Sequence, residues 1–120
     1  MAKGDPHLLV AEEAGQIVGF CSFGDCRDAD RRSGDFEVWS IYLASSHWSK
    51  GVGRAMWLAA RDELIGLGAK VIRVWVLSEN HRAIRFYLSA GFHPDQDCTN
   101  VLKFDGIDVV ETRYSLTLGG

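Results

Sequence analysis

His7 to Glu12 is a short, mostly apolar run and Ile17-Val18-Gly19-Phe20-Cys21-Ser22-Phe23 a second one, with the turn Glu13-Ala14-Gly15-Gln16 between them. This pattern predicts a β-hairpin. From Gly24 to Gly34 the apolar period vanishes and Asp25, Arg27, Asp28, Asp30, Arg31 and Arg32 take over, which predicts an exposed loop. Phe36 to Leu43 is rich in β-branched and aromatic residues and reads as a third strand. The spacing then changes to the helical period over Arg54 to Gly66, where Met56, Ala59, Ala60, Glu63, Leu64 and Leu67 gather on one side. Gly66 and Gly68 close that helix, and Lys70 to Leu77, broken only by Arg73, reads as a buried strand. Ser78 or Asn80 can cap a second helix over Arg82 to Ala90, which Gly91 ends before Pro94 forbids continuation. Thr99 to Phe104, the turn Asp105-Gly106 and Ile107 to Leu118 form a second hairpin. The predicted fold class is α/β (α+β), a mixed, largely antiparallel twisted sheet flanked by helices.

The third strand meets the first helix through His47-Trp48-Ser49-Lys50-Gly51-Val52-Gly53-Arg54-Ala55-Met56. The first turn of a helix presents N–H groups without intrahelical partners, and Gly51 and Gly53 let a ligand approach them with no Cβ in the way. The turn is a candidate anion site, phosphate first among the ligands; glycines that only satisfy the turn's backbone angles are the plainer alternative.

Composition narrows the function. At 120 residues with 47% hydrophobic residues the chain can bury one core, so residues 1–120 are expected to form one domain. A net charge of −3 with no long basic run argues against nucleic-acid binding. Cys21, Cys26 and Cys98 are odd in number and lack CxxC spacing, which disfavours a disulfide framework and a structural metal. With no apolar leader at Met1 to Pro6 and no apolar run long enough to span a bilayer, a soluble, cytoplasmic protein with no membrane partner is expected.

Three segments together resemble the GNAT (GCN5-related) N-acetyltransferase family. Glu37 to Leu43 is similar to the family's fourth strand, Ser49 to Ala55 to its pyrophosphate loop, and Asn80 to Tyr87 through Gly91-Phe92 to its second signature; Glu111 to Leu116 is similar to its last strand. Two departures stand out. Trp48 occupies a position where the family usually has Gln or Arg, and the chain lacks the usual N-terminal strand and helices that help wall the acceptor site. The resemblance implies an abbreviated GNAT fold in which either the chain is minimal or truncated, or another subunit supplies the wall.

The resemblance also implies acetyl-CoA (coenzyme A) as cosubstrate, no metal, and direct attack of a primary amine on the thioester in a ternary complex. The N–H groups of Gly51, Val52, Gly53, Arg54 and Ala55 would take the pyrophosphate, with charge from Lys50 or Arg54. Ile41, Tyr42 and Leu43 would bond the pantetheine amides along a strand edge, and Asn80 would add a side-chain bond. Tyr87 would protonate the departing thiolate. Glu37 is the first candidate for general base, through a water, and His47 the fallback. Cationic acceptors would suit the carboxylates Asp25, Asp28, Asp30, Asp35 and Glu37, but Arg27, Arg31 and Arg32 share that loop; small-molecule and peptide amines both remain open. A homodimer is expected if the short N-terminus leaves apolar surface bare. The competing readings are an acyl-CoA-binding module without catalytic activity and a dinucleotide-binding unit, the latter disfavoured by Met56 at the third small-residue position and by the terminal hairpins.

Overall fold

A computed structural model describes residues 7–48 and 51–118. Its elements in chain order are β1 (His7–Glu13), β2 (Gln16–Asp25), β3 (Asp35–Leu43), a short 3-10 turn (Ser45–His47), α1 (Val52–Gly66), β4 (Val71–Leu77), α2 (His81–Ser89), β5 (His93–Phe104) and β6 (Ile107–Thr117). The six strands form one sheet in the order β1-β2-β3-β4-β6-β5, antiparallel throughout except for the parallel pair β3–β4. The mixed sheet of the sequence reading is therefore observed, with α1 as the crossover that a parallel pair requires.

Alternation along the strands sorts the two faces of the sheet. Cys21, Phe23, Val38, Ile72, Val74, Val76 and Tyr114 point to one side, where Met56, Trp57, Ala60 and Leu64 of α1, Tyr87 of α2 and Phe92 close over them in one core. On the other side lie Glu37, Arg73 and Arg113, polar residues within the core strands.

Three expectations need correction, and one open alternative is resolved. The first helix begins at Val52, two residues before Arg54, because Gly51 at φ +81° sets its start. Asn80 rather than Ser78 caps α2: its side chain accepts a 3.1 Å bond from the Ala83 N–H. The last hairpin begins at His93, not Thr99, with Pro94 opposite Tyr114. β5 is an edge strand, where a missing N–H is tolerated. The charged segment before β3 is not a free solvated loop: Cys26 is buried, and Asp28 and Asp30 bond to Arg113.

Candidate active site

β3 and β4 pair over only four positions, from Asp35 opposite Val71 to Val38 opposite Val74. The divergence coincides with a bulge: Phe23 faces Val38 and Ser22 faces Ser40, leaving Trp39 as the extra residue on β3. The Trp39 ring crosses Gly24, where a Cβ would lie 2.8 Å from it, so glycine is what lets the bulged indole lie flat. Beyond Val38 the β3 edge facing β4 has no ladder partner. A cavity of ≈ 990 Å³ opens beside it, between Ile41-Tyr42-Leu43, the start of α1 and the first two turns of α2.

The glycine turn supplies the donors at one end of this cavity. Ala55 N–H donates to Gly51 C=O at 3.0 Å, the first bond of the helix. The N–H groups of Val52, Gly53 and Arg54 precede it and have no intrahelical acceptor. Ala55 is therefore removed from the predicted donor set by the helix itself. A Cβ on Gly53 would lie at ordinary contact distance from Leu43, 3.4 Å, and Phe86, 3.8 Å, so this glycine sits between the strand and α2 at the cavity wall. Gly51, Gly53, Arg54, Ile41, Tyr42, Leu43, Asn80 and Tyr87 all line the cavity, whereas Val52 and Ala55 do not; Lys50 lies outside the described residues.

Asn80 and Tyr87 sit on the α2 wall. With its Oδ1 engaged as the helix cap, Asn80 has its amide N–H₂ left for a ligand. Asn80→Asp should thus keep the cap, changing thermal stability little, yet weaken cosubstrate binding about 2- to 10-fold by loss of one hydrogen bond. Asn80→Ala should lower both, as checked by melting and calorimetry side by side. Tyr87 is 3% exposed, edge-on to Phe86 and Phe92 with ring centroids 5.4 and 5.3 Å away. Its hydroxyl forms no hydrogen bond to another described residue. Burial, with a smaller contribution from Cys21, raises its pKa above the ordinary phenol value, so the phenol stays protonated throughout the neutral range.

A family model described as Acetyltransferase (GNAT) family matches residues 1–92. The chain belongs to the GNAT acetyltransferase family. It is similar to the L-methionine sulfoximine/L-methionine sulfone acetyltransferase of Salmonella typhimurium, 36% identical over 85 residues that cover 71% of this chain and 49% of the relative. It is likewise similar to the L-amino acid N-acyltransferase MnaT of Escherichia coli, 34% identical with the same coverage. The chain spans about half the length of these curated relatives. Among solved structures, the Salmonella typhimurium acetyltransferase yncA with its cofactor acetyl-CoA superposes with a TM-score of 0.80 at 32% identity, covering 93% of this chain and 64% of that one.

Against the GNAT pattern, the departure at Trp48 has a structural counterpart. Its indole N–H donates to the Leu43 carbonyl at 2.8 Å, and the Arg82 guanidinium lies 4.0 Å from the ring centroid. Trp48 lines the cavity together with Arg82, Arg85 and Phe86, and these last three were not among the sequence-based candidates. Arg82 and Arg85 could have been noticed as a basic pair three residues apart on one helix face.

The two candidate bases differ in placement. His47 is held between Ser46 Oγ, at 2.9 Å, and the Glu13 carboxylate of β1, and does not line the cavity. Glu37 is 5% exposed on the sheet face away from the helices, accepting from the Arg27 backbone N–H at 2.9 Å with the Arg27 guanidinium at 3.5 Å. Glu37 and Tyr87 are thus on opposite faces of the sheet; Glu37 is paired with Arg73 one position before the β3–β4 divergence and does not line the cavity. The ligand-type atoms of Cys26, Asp28 and Glu37 fall within 4.8 Å of one another, but arginines already neutralise both carboxylates.

Proposed function

We propose that this chain binds acetyl-CoA in the β3–β4 opening and transfers its acetyl group to a primary amine by direct attack in a ternary complex. The observation that carries the reading is a buried, protonated Tyr87 on the wall of a cleft whose other walls are a bare strand edge and the open start of α1. The cradle fits the cosubstrate: the Val52, Gly53 and Arg54 N–H groups have no intrahelical acceptor, and Gly53 and Arg54 line the cavity beside Leu43 and Phe86. Acetyl-CoA supplies the activated acetyl thioester.

The chain's own residues do the rest. Val52, Gly53 and Arg54 N–H groups hold phosphate oxygens, with Arg54 and the Arg82-Arg85 pair adding positive charge. Ile41, Tyr42 and Leu43 offer the backbone of the strand edge to amide groups, with the Leu43 carbonyl shared with Trp48. Tyr87 Oη gives its proton to the leaving sulfur as the C–S bond breaks. Glu37, paired with Arg27, receives the proton lost by the amine through a water. Printed names of the relatives support an amino-acid acceptor. A cytoplasmic homodimer belongs to the same reading, supported by Leu8, Val10, Phe20 and Tyr42, apolar side chains exposed on the sheet face away from the helices.

Release of free thiol from acetyl-CoA, measured over a panel of amino acids, polyamines, aminoglycosides and peptides, tests the reading. Thiol release dependent on an amine is expected. Calorimetric binding of acetyl-CoA with no release on any amine would instead make the chain an acyl-CoA-binding module.

A further inference from the structure

The polar face of the sheet holds an arrangement that the proposed reaction leaves unused. Arg73 of β4 and Arg113 of β6 stand on adjacent strands with side chains only 13% and 9% exposed. Two guanidinium groups brought together and desolvated need carboxylates around them. Asp35 lies 3.4 Å from Arg73; Asp95 lies 2.6 Å from Arg113; Asp28 lies 3.1 Å from Arg113 and 3.7 Å from Arg73. These three are built in, with side chains 6%, 24% and 15% exposed.

Asp30 differs. Its side chain is 60% exposed, yet its carboxylate is shared by Arg73 Nη1 at 3.0 Å and Arg113 Nη1 at 2.9 Å. It caps a buried pair of cations from outside, on a segment between strands, and a carboxylate from solution could make the same contacts. Arg73 Nε is buried with no partner, a donor that the four aspartates leave over.

The pair also shares the sheet face of Glu37, the candidate base. Arg73 is the register partner of Glu37 and precedes Val74, the last position paired before the strands diverge, while Arg113 is opposite Trp75, the first residue past it. Arg73 stands one strand from Glu37 and Arg113 one strand further, and neighbouring strands are about 4.8 Å apart, so an amine directed at Glu37 and a carboxylate directed at the arginines are within the span of one small molecule. In an α-amino acid a single carbon separates the two groups.

We propose that Arg73 and Arg113 form the carboxylate subsite of an α-amino acid acceptor, and that Asp30 is an internal stand-in which the acceptor's carboxylate displaces. The proposal rests on the acetyltransferase reading of the neighbouring cleft. Asp30 then acts as a competitor tethered to the site: while it holds the pair, that fraction of molecules cannot take the acceptor.

The test compares wild type with Asp30→Asn on an amino acid and on the matching amino alcohol, which keeps the amine and lacks the carboxylate. If Asp30 holds the pair roughly nine-tenths of the time, the ratio of KM for amino acid to KM for amino alcohol should fall about tenfold in the variant. A ratio that stays the same or rises overturns the proposal. Should no amine release thiol, the acetyltransferase reading fails by itself; calorimetric titration of the same two ligands into both proteins then decides the subsite, and equal affinity for both ligands in Asp30→Asn refutes it.

Discussion

Replacing Tyr87 with Phe will cut turnover by about 100-fold or more, the usual loss on removing a positioned general acid, while acetyl-CoA affinity stays within about twofold. The substitution removes one oxygen and leaves the ring between Phe86 and Phe92. Because the hydroxyl bonds to no other described residue, little folding energy goes with it. Burial raises the pKa of Tyr87, which keeps the hydroxyl protonated at neutral and moderately alkaline pH. The same shift has a sign for stability. The folded state holds this proton more tightly than the unfolded one, so Tyr87 contributes stability below about pH 10, and that contribution is lost as pH rises toward the folded value. Single-turnover rates and calorimetric binding, measured together, check the assignment; equal losses in binding and turnover would reduce Tyr87 to a packing residue.

Much of this cleft was legible because local chemistry dictates it. Two glycines between a strand and a helix predict a donor-rich turn, and apolar, β-branched and aromatic runs between polar turns mark out β1, β2 and β3. What was not legible depends on partners distant in sequence. Asp28 and Asp30 looked like solvated loop charges because the residues that bind them, Arg73 and Arg113, come from β4 and β6. Pro94 read as a stop because nothing local reveals that its strand lies at the sheet edge. Ala55 was counted as a free donor because the first helical bond depends on where the helix starts, and Gly51 moved that start earlier. Trp48 read as a lost polar contact, yet its indole N–H still bonds to the strand edge and its ring faces Arg82 across the cavity.

Arg113→Met will destabilise the domain by about 3–5 kcal/mol, the scale for removing one partner of a buried ion cluster. Folded domains hold roughly 5–15 kcal/mol in total, so the variant should denature at markedly lower urea concentration. The cause is the set of carboxylates left behind: Asp95, Asp28 and Asp30 lose their common cation, and Arg73 alone cannot neutralise them. Arg27→Ala is the control. It removes a cation from buried Glu37, but the Arg27 side chain is 62% exposed and the carboxylate keeps its 2.9 Å backbone bond, so the loss should stay below about 1 kcal/mol. Acid titration separates the cluster from simple packing. The hydrogen bond from Arg113, more than any other contact, holds the Asp30 carboxyl below its ordinary pKa. Asp30 therefore adds stability above about pH 4 that disappears as pH falls through its folded value. Arg113→Met should lose that part of the acid dependence along with its stability. If urea denaturation instead shows Arg113→Met and Arg27→Ala to be equally mild, the face opposite the helices is held by solvent-exposed pairs and not by a buried cluster.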